Sequence, residues 1–230
     1  PDFAHGVAVS GGYAYVAAGF NGLWVIDVSV PSTPFKVALL HLPEGVVSHV
    51  AVSADHAFLV GPSGFWVIDV STPTTPVEVG FLETPGGAEG VAVSGSYAYL
   101  TYRDDNSGDK RFGVVDVSTP SAPVEVGFVD TPDFAHGVAV SGGYAYVAAG
   151  EAGVRVIDVT TPSAPVEVWS LETPHPDSAN AVAASAGYAY VGGDQSFRVI
   201  DVGAPTAPVE VGFVDALPIT WDVAVSGGYA

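Results

Sequence analysis

A run of VIDV or a close variant returns five times along this chain. It stands at Trp24–Val28, Trp66–Val70, Gly113–Val117, Arg155–Val159 and Arg198–Val202. A second anchor, AVS or AAS, ends at Ser10, Ser53, Ser94, Ser141, Ser185 and Ser226, with successive gaps of 43, 41, 47, 44 and 41 residues. A period of this size means one supersecondary unit copied many times, each copy relying on its neighbours to bury its apolar faces. Residues common to all copies are therefore expected to build the repeat, and function is to be sought where the copies differ.

One copy, residues 132–173, shows what the unit is. HGVAVSGG reads as a short apolar strand ending in a Ser-Gly-Gly turn, and YAYVAAG alternates large and small residues with period two. VRVIDV is a β-branched run, TTPSAP is a loop whose prolines end any strand, and PVEVWSL alternates again with Glu167 toward solvent. Four short strands with turn signals about every ten residues, and no helical period, predict an all-β chain of four-stranded antiparallel blades, a β-propeller. The expected blades run roughly over 5–47, 48–88, 89–135, 136–179 and 180–221, with a partial sixth at 222–230, in a single domain of 1–230. Residues 217–230 align with residues 1–14, and methionine is absent. The chain is thus expected to be a piece of a ring of six to eight blades, or a closed ring of five. An open piece is expected to self-associate through its exposed blade faces.

The repeats resemble the LVIVD-repeat family. The likeness rests on WVIDVSVPSTPFKV, WVIDVSTPTTPVEV, VVDVSTPSAPVEV, RVIDVTTPSAPVEV and RVIDVGAPTAPVEV, each preceded by an [VA]A[VA]S…[YF] hairpin, and it covers nearly the whole chain. The resemblance implies a β-propeller of bacterial or archaeal proteins, secreted or at the cell surface. It implies no catalytic residues.

Composition narrows the partners. The chain carries 25 acids against 6 bases, a net charge of -19, and such a surface repels phosphate backbones, arguing against nucleic acids and anionic membranes. Cations, basic proteins and neutral glycans fit better. There is no cysteine, so neither disulfides nor thiolate metal sites exist. No run of 18 apolar residues is present, and no segment is expected to insert in a membrane.

The repeated polar residues read as architecture. Asp27, Asp69, Asp116, Asp158 and Asp201 are each followed by a Pro-containing loop, where a carboxylate accepts local backbone N–H bonds. Tyr13, Tyr15, Tyr97, Tyr99, Tyr144, Tyr146, Tyr188 and Tyr190 alternate with alanine and are expected to pack blade against blade, with His56 and Phe58 replacing the pair in the second copy.

The segments between copies differ most, and five of the six histidines lie in them. The last polar residue before each first strand forms the candidate ligand-binding set at a channel mouth: His5, His49, Glu89, His136 and Asn180, with Asp222 in the partial copy. Imidazole, carboxylate and amide converging there suit a polar ligand or a divalent cation. A protein or glycan ligand held without catalysis is the leading expectation. A glycan-active enzyme is the alternative, with Glu89 and a second acid from Glu44, Asp133 or Asp177. A cation-dependent structural module is another. The third copy carries an insertion in which Asp104, Asp105, Asn106 and Asp109 loosely resemble a calcium loop, although Gly108 falls where a ligand is needed. Residues 1–19 are identical to residues 132–150, pointing to recent duplication or deliberate design.

Overall fold

Alternation of β-branched or aromatic residues with small ones, broken every few residues by Gly, Pro or Asp, leaves this chain only short extended segments. A computed structural model describes residues 4–42, 45–103, 108, 110–173, 177–215, 219–226 and 229–230. Among them there is no helix, and twenty strands form five four-stranded antiparallel sheets, consistent with propeller-like blades. The first sheet holds β1 (Gly6–Ser10), β2 (Tyr13–Ala17), β3 (Leu23–Asp27) and β4 (Phe35–Leu40); the second holds β5 (His49–Ser53), β6 (His56–Gly61), β7 (Gly64–Asp69) and β8 (Val77–Leu82). The third holds β9 (Gly87–Ser94), β10 (Tyr97–Arg103), β11 (Lys110–Asp116) and β12 (Val124–Asp130); the fourth holds β13 (Gly137–Ser141), β14 (Tyr144–Ala148), β15 (Val154–Asp158) and β16 (Val166–Leu171). The fifth holds β17 (Ala179–Ser185), β18 (Tyr188–Gly193), β19 (Ser196–Asp201) and β20 (Val209–Asp215). Within each sheet the strands neighbour one another in chain order.

The register assigns each side chain to a face. In the first sheet Ala8, Tyr15, Val25 and Ala38 stand opposite one another on one face, called the front here, while Val7, Val16, Trp24 and Leu39 share the back. A bulge recurs between the third and fourth strands, at Val25/Ile26, Val67/Ile68, Val156/Ile157 and Val199/Ile200. Each adds local twist at the same place in the repeat. The first hairpin turn of a sheet needs a left-handed residue. Glycine supplies it at Gly11, Gly95 and Gly142, but Ala54 and Ala186 hold the equivalent places at φ of 50° and 51°.

The chain divides into two compact units: Pro1–Ala98 with Val115–Val124, and Tyr99–Val114 with Glu125–Ala230. In the first, the front of the first sheet (Tyr15, Val25) packs on the back of the second (Val50, Leu59, Trp66, with Ile68), all buried. In the second, Tyr146 and Val156 on the front of the fourth sheet pack on Val182, Val191 and Ile200 of the fifth. Of the tyrosines expected to pack blade on blade, Tyr15 and Tyr146 do so, with Tyr13 and Tyr144 partly buried against the same clusters, whereas Tyr188 is exposed and Tyr190 only half-buried. The Pro-rich loop of one sheet also lies on the fourth strand of the sheet before it. A Cβ at Gly80 would meet the Pro120 carbonyl, and one at Gly127 would meet the Pro162 carbonyl and Pro165 Cδ at 2.8 Å. The recurring PVEVGF glycine is thus the space in which that loop sits.

Candidate functional site

The Asp that closes each third strand is occupied locally. The Asp27 carboxylate accepts the Ser29 amide at 2.9 Å and the Ser29 hydroxyl at 2.6 Å. Asp158 takes the Thr160 amide and hydroxyl at 2.9 and 2.6 Å. Asp69, Asp116 and Asp201 accept the amides of Ser71, Ser118 and Gly203 at 2.8, 2.8 and 2.9 Å. Donation by the hydroxyl and then the amide of the following Ser or Thr holds the carboxyls of Asp27, Asp69, Asp116 and Asp158 below their usual range. These carboxylates organise the Pro-containing loops that follow them, as the sequence predicts, and the loops after Asp116 and Asp158 land on the preceding sheet.

The variable residues cluster by strand stacking. In the first unit, β1 lies beside β5 and β5 beside β9. A Cβ at Gly6 would sit 3.0 Å from the His49 Cα, so the chain at His5 passes directly by His49. His5 is exposed and its amide donates to the Ala17 carbonyl at 3.0 Å; His49 opens β5 and Glu89 lies in β9, both half-buried. In the second unit, a Cβ at Gly137 would sit 3.1 Å from the Ala181 Cα and 3.2 Å from the Asn180 carbonyl oxygen, which brings His136 beside Asn180. The His136 carbonyl accepts the Thr101 hydroxyl at 3.2 Å, and Asn180 Nδ2 donates to Asp194 at 2.8 Å. Asp222 is exposed and accepts the Val223 amide at 2.8 Å. Among the described residues no three His, Asp or Glu side chains converge as a metal would require. Asp104, Asp105, Asn106 and Asp109, together with Glu44, His175 and Phe3, lie outside the described residues.

Two acids of the joining segments carry more than their sequence suggested. Burial by itself raises the Asp177 carboxyl, but the Ser196 hydroxyl, the Gln195 amide (3.1 Å) and the Arg198 guanidinium (3.3 Å) outweigh it and hold the group below its usual range. Arg198 also reaches Glu210 at 2.8 Å and stacks on Phe213 at 4.9 Å. One turn of chain thereby bolts the start of β17 to the β18–β19 hairpin. Asp133 repeats the device between β12 and β13. It takes Lys110 Nζ at 2.8 Å and the Glu151 amide at 2.9 Å, bonds that again overcome the raising effect of burial. The hydroxyls of Thr131 and Thr173 close the same segments, donating to the Asp133 and Asp177 carbonyls at 2.9 and 2.8 Å. Each of these threonines stands before the proline of a recurring ETP or DTP. The insertion's bases have partners as well. Arg103 and Lys110 lie over Phe134 at 4.7 and 4.3 Å, and Arg111 pairs with Glu125 at 3.8 Å. Two cations therefore lie over the half-buried Phe134, whereas Trp221 is exposed.

The LVIVD repeat matches residues 3–38, 44–84, 85–131, 134–173, 176–216 and 219–230. No curated protein matches the chain. Among solved structures, the computationally designed Ika8 protein is similar at 14% identity with a TM-score of 0.75, over 97% of this chain and 65% of that one. The chain thus spans about 65% of that protein's length. The computationally designed Ika4 protein is similar at 12% identity with a TM-score of 0.55, over 67% of this chain and 90% of that one. At these identities the likeness speaks for the fold alone.

Proposed function

Since the chain belongs to the LVIVD repeat family, whose repeats here differ mainly in the segments between sheets, we propose that it is a non-catalytic interaction module of a secreted or cell-surface protein. It holds a protein or a neutral glycan against the first-strand starts at His5, His49, Glu89, His136, Asn180 and Asp222. The observation carrying this reading is the division of labour among polar side chains. The repeated aspartates are spent on their own turns, while the histidines, Glu89 and Asn180 gather at one end of stacked first strands in each unit. The net charge of -19 favours a basic or uncharged partner.

A hydrolytic role for the same end is less well supported. A glycosidic general acid needs a raised pKa, yet Asp133 and Asp177 are held low by cations and amides. Screening the chain against an array of neutral oligosaccharides and basic peptides tests the proposal. The expected result is a binder whose signal falls at least tenfold with the variant His49→Ala, Glu89→Ala, His136→Ala, Asn180→Ala. An array with no binder, or a variant that binds as well as the parent, would refute it.

A further inference from the structure

The contacts of the first sheet with the second and of the fourth with the fifth are made front on back, and among the described residues two faces have no sheet upon them. The back of the first sheet exposes Val7 by 57% and Val9 by 67%. Their counterparts Val138 and Val140 lie in an identical stretch of 19 residues, yet both are half-buried and the adjoining Val147 is fully covered. The same side chains in the same register are thus a mating surface in the fourth sheet and open in the first. The front of the fifth sheet is open in the complementary sense. Tyr190 and Val199 are only half-buried, where Tyr146 and Val156 of the fourth sheet are 2% and 0% exposed. Tyr188 and Val214, on the same front, are exposed by 38% and 52%. Gly212 stands opposite Val199 and meets only that residue's side chain, whereas Gly80 and Gly127 at the same register are filled by a Pro-rich loop. The first sheet presents such a loop, Ser29–Pro34, exposed along most of its length.

The geometry points to a second copy of this chain as the occupant. The back of one copy's first sheet docks on the front of the other's fifth sheet, with its Pro31 loop over Gly212. The occupant follows from continuity with the junctions already inside the chain, since the surfaces to be covered are the ones that cover each other there. Residues 219–226 already lie along the first-strand end of that front. Thr220 donates to the Gly193 carbonyl at 2.9 Å, but the segment joins no sheet. It ends in the run VAVSGGYA, which is also residues 7–14. In the complex the partner's β1 takes the place of these residues. Such an interface is heterologous, so each copy keeps one free face of each kind until the series closes.

Sedimentation velocity of the full chain across a hundredfold range of concentration tests this. The expected result is a mass that rises with concentration to at least twice the 23.4 kDa of one chain. Val7→Glu with Val9→Glu spoils the back, and Tyr188→Glu with Val214→Glu spoils the front; all four sites are solvent-exposed, and circular dichroism confirms that each variant keeps its sheets. Each variant alone is expected to remain monomeric. An equimolar mixture is expected to form a dimer and nothing larger, because one sound back meets one sound front. The mixture carries the same added charge as either variant, so its recovery separates docking from simple repulsion. A parent that stays monomeric throughout, variants that associate like the parent, or a mixture that fails to dimerise would each overturn the inference.

Discussion

Removing the Asp177 carboxylate should loosen the joint between the fourth and fifth sheets more than any other single acidic deletion in the second unit. The side chains of Asp177 and Arg198 are 9% and 10% exposed, so Asp177→Ala strips a buried guanidinium, a backbone amide and a hydroxyl of an acceptor at once. Removing one partner of a buried pair costs about 3–5 kcal/mol. Arg198 keeps Glu210 at 2.8 Å, which places the expected loss near about 3 kcal/mol. Asp133→Ala is the internal control. It breaks a pair whose side chains are 22% and 26% exposed, and solvent screening reduces its expected cost to about 1 kcal/mol. Equilibrium urea unfolding followed by far-UV circular dichroism measures both, and hydrogen exchange should show the Gln195–Phe197 amides losing protection first in Asp177→Ala. A loss for Asp177→Ala below about 1 kcal/mol, or no greater than that for Asp133→Ala, would refute the anchor.

Replacing Ala54 or Ala186 with glycine should stabilise the chain by about 1 kcal/mol each, since both hold left-handed backbone that costs an L-residue about that much; an unchanged or lowered urea midpoint would count against the assigned turns. Gly127→Leu should destabilise by about 1–3 kcal/mol through overpacking against Pro162 and Pro165, whereas Gly212→Leu, with no loop upon it in the isolated chain, should leave unfolding of dilute protein nearly unchanged. The pH dependence follows from the carboxyls of Asp27, Asp69, Asp116, Asp133, Asp158 and Asp177, all lower when folded. Groups of this kind lend stability above the unfolded carboxylate range, about pH 4, and withdraw it as pH falls further. Thermal melts should therefore drop steeply below about pH 4; a melting temperature that holds or rises there would contradict these assignments.

The repeat made the fold legible because each element carries its own punctuation. Ser-Gly-Gly or a variant of it, VIDV or VVDV, and the double-proline loop mark the same hairpins and turns from copy to copy, so errors in one copy are corrected by the others. The Asp turns were legible for the same reason, since the carboxylate and its donors lie two residues apart. The anchors at Asp133 and Asp177 were not. Their partners lie 18 to 23 residues away, on the strands or turn of another hairpin, and no local spacing encodes such a contact. The cover over Phe134 was hidden for a related cause, as the cations lying over it come from the insertion in the third copy. The strand-start residues could be named from sequence because they vary where all else repeats. Their pairing of His5 with His49, and of His136 with Asn180, depends on how consecutive first strands stack.

The central claim is that repeated positions build this protein and variable positions bind. Amide chemical shifts, followed while the strongest binder from the oligosaccharide and peptide array is titrated in, test it most directly. The account predicts saturable shifts confined to the first-strand starts around His5, His49, Glu89, His136 and Asn180, with the turns after Asp27, Asp69, Asp116, Asp158 and Asp201 unmoved. Shifts concentrated in those turns, or along the fourth strands, would contradict it.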